Sequence, residues 1–211
     1  MGRLPMLRGM DTTPPEMDTA DGENDTISRK TAVSNPAGRV PAWKKGTAST
    51  SVSCDRADDA GAPMRFPPSM TYREFHLGTH DYEQAIQLRE AVLRIPLGLT
   101  LTEAELADEP NCRHLGGFDG ERLVAVLLLR PLDEETVKMR QVAVHPEFQN
   151  AGMGSKLVAF AERFAKERGF TKMVAHARGT AVDFYQKAGY ATVGDDFLEQ
   201  TIPHRLVTKE L

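Results

Sequence analysis

Residues 136–178 read TVKMRQVAVHPEFQNAGMGSKLVAFAERFAKERGFTKMVAHAR. The apolar run ending at Val144 stops before Pro146, and a loop holding Gly152 and Gly154 follows. Beyond it, Leu157, Phe160, Ala161, Phe164 and Ala165 recur at helical spacing, which predicts a helix to about Arg168, stopped by Gly169. Residues 172–177 read as another strand. Strand, helix and strand in that order form a crossover, which sets the strands near residues 140 and 175 parallel.

The same reading extends outward. Tyr72, Glu74 and His76 alternate with Arg73, Phe75 and Leu77, the pattern of a short strand. Asp81, with Gln84 three residues later, is the expected cap of a helix that carries Tyr82, Ala85, Ile86, Val92 and Leu93 and ends before Pro96. Thr102 and Glu105 have the spacing of a capping box for a short second helix. Residues 113–118 and 122–130 are two strands joined by Asp119-Gly120, a hairpin signal. The second is apolar from Leu123 through Leu129, as a strand covered on both faces would be. Residues 133–135 turn the chain into a strand at about 136–144. A helix over 180–188 ends at Gly189, and two strands finish the chain. The predicted order is β-α-α-β-β-β-α-β-α-β-β, an α/β class with a mixed sheet.

Composition breaks near residue 69. Residues 1–69 hold eight of the 13 prolines, few large apolar side chains and balanced charge. A segment like this buries too little surface to offset chain entropy, so a disordered tail (1–69) is expected ahead of one domain (70–211). The net charge of −4 gives no overall positive field for nucleic acid or an anionic membrane. No apolar run approaches the roughly 18 residues of a membrane span. Cys54 and Cys112 are too few for a disulfide framework or a zinc knuckle, so unpaired thiols in a reducing cytoplasm, and no metal, are expected.

A helix N-terminus has free N–H groups and a partial positive charge, and glycines there let a ligand approach closely. Together these make an anion site, with phosphate its usual guest. The P-loop spacing fails at Gly154-Ser155-Lys156, and the dinucleotide fingerprint fails at Leu157. What remains is Gln149-x-x-Gly152-x-Gly154 after a strand that ends in Val-His-Pro.

That remainder is specific. QVAVHPEFQNAGMGSKLVAFAERFAKERGF resembles the acetyl-coenzyme A motif of the GCN5-related N-acetyltransferase (GNAT) family, whose loop reads Gln/Arg-x-x-Gly-x-Gly/Ala. Downstream, AVDFYQKAGY resembles the family's second landmark, Phe-Tyr-x-Lys-x-Gly-Phe/Tyr. LREAVLRIPLGL, VKMRQVAVHPEF and the late IPH are similar to the ElaA-like members. The resemblance covers about residues 71–211. It implies a mixed, mostly antiparallel sheet with a parallel strand–helix–strand centre, flanked by helices. It implies acetyl-coenzyme A as co-substrate, its pyrophosphate on the loop Gln149, Asn150, Ala151, Gly152, Met153, Gly154 and Ser155. The pantetheine would lie in a wedge beside Val142, Ala143 and Val144. The N–H of Val144 would polarise the thioester carbonyl. Tyr185 would donate a proton to the departing thiolate, and an amine would attack directly in a ternary complex.

The acceptor side is read with alternatives open. A protonated amine cannot attack, so a base or water relay is expected. His176, Glu199 and His204 are the candidates, though each also fits a structural histidine or an exposed glutamate. Arg89 and Glu90 either line the substrate entrance or belong to a solvated helix face. Lys187 reads as a solvated charge. Arg178 stands where many family members have Asn, and is open to a phosphate or an acidic acceptor. Net negative charge mildly suits a cationic acceptor, although the field of one cleft is not the net charge. The leading reading is an acetyltransferase acting on a primary amine; the other is an acyl-coenzyme A sensor or scaffold without turnover. A homodimer is left open.

Overall fold

The computed structural model describes residues 42–43, 52–53 and 70–211. Its strands are β1 (Val52–Ser53), β2 (Met70–Phe75), β3 (Arg113–Asp119), β4 (Arg122–Pro131), β5 (Thr136–Val144), β6 (Lys172–Arg178), β7 (Ala191–Glu199) and β8 (Ile202–Glu210). Its helices are α1 (His80–Arg89), α2 (Glu103–Ala107), α3 (Met153–Lys166) and α4 (Val182–Lys187). From residue 70 onward the observed order is the predicted one. One sheet runs β1-β2-β3-β4-β5-β6-β8-β7. Its pairs are antiparallel, except that β5 lies parallel to β6.

Two clusters hold the layers together. The stripe Leu157, Phe160, Ala161, Phe164 and Ala165 of α3 packs on Leu127, Leu129, Val137, Met139 and Met173. On the other face, Ala85 and Leu88 of α1 pack on Phe75, Phe118, Leu123, Val126 and Leu128. Each large side chain buried in this way contributes about 1.5–3 kcal/mol. β4 is apolar at every position from Leu123 to Leu129 because both of its faces are covered. Tyr72 and Phe75, at odd spacing on β2, join opposite clusters for the same reason.

The expected tail falls almost wholly outside the described residues. Within it, β1 pairs with β2. Trp43 lies edge-on to Phe164 and Phe170, with ring centroids 6.2 and 5.5 Å away. Its Nε1 donates to the Asn111 carbonyl at 3.2 Å.

The start of α1 differs from expectation. Thr79, in extended backbone, accepts the Tyr82 N–H on its side chain and is the cap. Asp81 sits inside the first turn and pairs with Arg73 at 2.7 Å. The capping box at Thr102 and Glu105 forms as predicted. After α1 the chain makes a π-helical turn, Glu90–Arg94. Its wider, five-residue spacing brings Arg94 inward along with Arg89, and both are buried.

β5 carries the irregularity that opens the sheet. Its register with β4 slips between Val126 and Leu128, and Gln141 there has φ +50°. Val137 and Met139 before the bulge, and Val142 and Val144 after it, all pack with the α3 cluster. Pairing of β5 with β6 ends at Met139 and Ala175. β6 continues alongside β8 as far as Arg178. Residues 140–144 and 176–178 therefore part and leave a wedge between them.

Candidate active site

The His145 N–H donates to the Val124 carbonyl on β4 at 2.8 Å. Backbone groups alternate along a strand, so the N–H groups of Val142 and Val144 point away from β4, into the wedge. The Val144 carbonyl, on that same side, accepts Gln149 Nε2 at 2.9 Å. Gln149 thus ties the glycine loop to the end of β5. The loop turns through Asn150 (φ +59°) and Gly152 (φ +76°), conformations that favour Asn and Gly. Gly152 is the N-cap of α3 and supplies no side-chain cap. No acceptor among the described residues takes the N–H of Gly154 or Ser155. The first turn of α3 therefore offers free donors at the positive end of its dipole.

Gly154 sits where wedge, loop and α4 meet. A Cβ there would lie 3.4 Å from the Phe184 ring and 3.7 Å from Val144 Cγ2. Asn150 and Ser155 are exposed and Ala151 is half-buried. The Met153 side chain is buried, with the Tyr72 hydroxyl 3.3 Å from its sulfur. Ala143, also buried, joins the α1-side cluster and offers no side chain to the wedge.

On the α1 side of the wedge lies a cavity of about 360 Å³, lined by Val142, Tyr185, His176, Glu199 and His204 among others. Tyr185 packs edge-on between Phe184 and Tyr190, at 5.1 and 5.5 Å. Its hydroxyl has no hydrogen-bond partner among the described residues, and burial pushes its pKa up to about 12. His176 Nδ1 lies 2.6 Å from Glu199 Oε2. That hydrogen bond is the main cause of the fall in the Glu199 pKa to about 2. Phe197 sits between the two histidines, edge-on to His176 at 4.8 Å and stacked with His204 at 6.1 Å. His204 is buried, and its Nδ1 lies 2.9 Å from the Ile202 carbonyl. The structure thus gathers all three acceptor-side candidates, together with Tyr185, around one cavity. The residues of the loop itself, 149–155, lie outside its lining.

Several cavity residues were not singled out by the sequence. Lys138 Nζ lies 3.1 Å from His176 Nδ1 and 3.2 Å from its Nε2, and burial lowers its pKa to about 8. Asp108 Oδ2 pairs with both Arg130 and Arg140, each at 2.7 Å. Arg94 pairs with Glu105. The available signal was the alternation of Lys138 and Arg140 with Val137 and Met139 on a central strand, which places charge on an inner face.

Two expectations are corrected. Arg89 is neither an entrance residue nor part of a solvated face. It is fully buried, 2.6 Å from Glu109 Oε1, itself 1% exposed, and it also donates to Gln141 Oε1 at the bulge. Arg89 lies one α-helical turn beyond the buried Ala85, on the inward face of α1, and its Nε donates to the Ala85 carbonyl. Glu90 is half-buried beside the Leu101 N–H. The inference from net charge also fails locally. Arg94, Arg130, Lys138, Arg140 and Arg178 face only Glu105, Asp108 and Glu199, so the cavity of this acidic chain is cationic.

Lys187 is exposed, as expected. Cys112 is a free, buried thiol whose pKa burial raises to about 11; Cys54 lies outside the described residues. Among the described residues, no group of three or more His, Cys, Asp or Glu is placed to hold a metal ion. None of their helices is long and apolar enough to cross a membrane.

Residues 79–190 match the model of the acetyltransferase (GNAT) family. The chain belongs to the GNAT family. The GNAT match contains the bulge, the glycine loop and Tyr185, whereas Glu199 and His204 lie beyond it. The YyaT protein of Bacillus subtilis is 29% identical over 136 residues, spanning 62% of this chain and 90% of YyaT. Escherichia coli ElaA shares the GNAT fold with a TM-score of 0.58 at 22% identity, over 67% of this chain and 99% of ElaA. A GNAT acetyltransferase from Elizabethkingia anophelis, solved with acetyl-CoA bound, aligns with a TM-score of 0.54 at 21% identity, over 67% of this chain and 98% of its own.

Proposed function

We propose that the protein moves an acetyl group from acetyl-coenzyme A to a primary amine by direct attack. The observation that carries this reading is the junction at Gly154. There the unpaired amides of α3, the wedge-facing backbone of β5 and the ring of Phe184 come together, next to Tyr185.

Each group has a part. The free N–H groups at the start of α3 receive the pyrophosphate, and Gly152 and Gly154 keep side chains out of its way. The backbone of Val142 and Val144 borders the pantetheine, and the Val144 N–H steadies the negative charge that builds on the thioester oxygen. The amine lone pair forms the new C–N bond, the C–S bond breaks, and coenzyme A leaves as a thiolate. The surplus proton on nitrogen passes to His176. A carboxylate with a pKa of about 2 is a weak base, so Glu199 serves to hold His176 in place. The buried Tyr185 stays protonated at neutral pH and donates a hydrogen bond to the sulfur; the thiolate takes up a proton from solvent, and His176 releases to solvent the one it received. His204, engaged with the Ile202 carbonyl and Phe197, supports this wall of the cavity.

The test is thiol release from acetyl-coenzyme A across a panel of amines. The expected result is one free thiol per acetylated amine, with no release when the amine is omitted. Binding of acetyl-coenzyme A with no thiol release for any amine would instead identify a sensor or scaffold.

A further inference from the structure

The cavity also indicates the kind of amine, on the basis of the acetyl-transfer reading above. We infer that the acceptor is a small zwitterion, a primary amine that also carries a carboxylate, with Arg178 and Arg94 receiving the carboxylate.

The two guanidinium groups converge on a single oxygen. Arg178 Nη2 donates to the Leu93 carbonyl at 2.8 Å, and Arg94 Nη1 lies 3.4 Å from the same atom. Arg94 is only 7% exposed and pairs with Glu105, while its Nε is buried without a partner. Arg178 touches no carboxylate among the described residues. Only one of the two arginines thus has a carboxylate partner, and positive charge is left over beside the cavity. The neighbours do not supply the missing anion. Asp108 is shared by Arg130 and Arg140, and Glu199 is engaged by His176, with Lys138 against the same ring. Burial and the charge of Arg94 both weigh against Arg178 as a lone cation. A guanidinium in this position matches a carboxylate in a two-pronged geometry.

Spacing sets the size of the acceptor. His176 and Arg178 lie two residues apart on one face of β6, a Cα separation of roughly 6.6 Å. An amine at His176 whose carboxylate reaches Arg178 therefore has its two charges only a few ångströms apart, as in a free α-amino acid. A polyamine or other polycation would bring more positive charge to a cavity that already has a surplus.

The test pairs each acid with a relative lacking the negative charge: leucine with leucinamide, and phenylalanine with phenylalaninamide. kcat/KM is measured by thiol release at saturating acetyl-coenzyme A. The acid is expected to be preferred by about tenfold or more. Arg178→Gln is expected to reduce that ratio to near one, and Arg178→Lys to restore part of it. Thermal unfolding confirms that each variant is folded. Equal or faster turnover of the amides by the native protein overturns the inference and leaves acetyl transfer standing. A preference unchanged in Arg178→Gln also overturns it. If no amine releases thiol, acetyl transfer itself fails. The site is then read by titrating leucine and leucinamide into protein holding coenzyme A. Selective binding of leucine supports the site, and any other result removes it.

Discussion

The Tyr185 hydroxyl has no acceptor among the described residues, so removing it orphans no buried partner. Tyr185→Phe is expected to keep its unfolding midpoint and its affinity for acetyl-coenzyme A, while kcat falls about 100-fold. An equal loss of stability, or unchanged turnover, would make the residue a packing aromatic. Lys138 gives a prediction in pH. Its folded pKa of about 8 lies below the unfolded value of 10.5, so burial penalises the charged form. That cost is fully present below pH 8 and is relieved as pH rises from about 8 to 10.5. Lys138→Met is therefore expected to be more stable than the native protein at pH 7, by roughly 3 kcal/mol at most. The gap should close by about pH 10.5, as read from urea midpoints at the two pH values. Lys138 was hard to see in the sequence because a lysine on a strand usually faces water. Its position is interior because β5 is central in the sheet, still paired with β6 there, and the His176 ring lies against its amine.

Gly154 separates the needs of the helix from those of the ligand. It lies in the first turn of α3, where an added Cβ meets only ordinary contacts. Gly154→Ala is expected to stabilise α3 by about 0.5 kcal/mol while weakening acetyl-coenzyme A binding. Calorimetry together with thermal unfolding would show the opposite signs. The tie between α1 and the bulge is a second such case. Arg89→Met leaves Glu109 as an uncompensated buried charge and should cost about 3–5 kcal/mol. Adding Glu109→Gln should recover much of that stability by urea titration. The contact with Gln141 stays lost, so kcat/KM should remain low. The elements themselves were legible in the sequence. The apolar stripe of α3, the Thr102–Glu105 capping box and the turn after Asp119 are local signals, and each formed as read. The bulge at Gln141 was less visible, because its trace is only a change in spacing from Val137 and Met139 to Val142 and Val144. The cap at Thr79 was missed because Asp81, equally suited by type, is drawn away by Arg73.

The chain is acidic, but the charge that lines the cavity is cationic, because five basic side chains and three carboxylates share it. Net charge reports on the whole surface, and folding decides which charges meet. The wedge edge and glycine loop of the candidate site were legible because one contiguous stretch, 142–155, builds them. The cavity was legible only as separate candidates: His176, Glu199 and His204 come from three strands, and their meeting depends on the β7–β8 hairpin lying against β6. Acetyl transfer as proposed depends on a nucleotide thioester seating its phosphates at the start of α3. Calorimetric titration of acetyl-coenzyme A into the full chain tests this most directly. One-to-one binding in the micromolar range, weakened at least about tenfold in Gly154→Val, is the predicted result. A folded protein that releases no heat on titration, or a Gly154→Val variant that binds as tightly as the native chain, would contradict it.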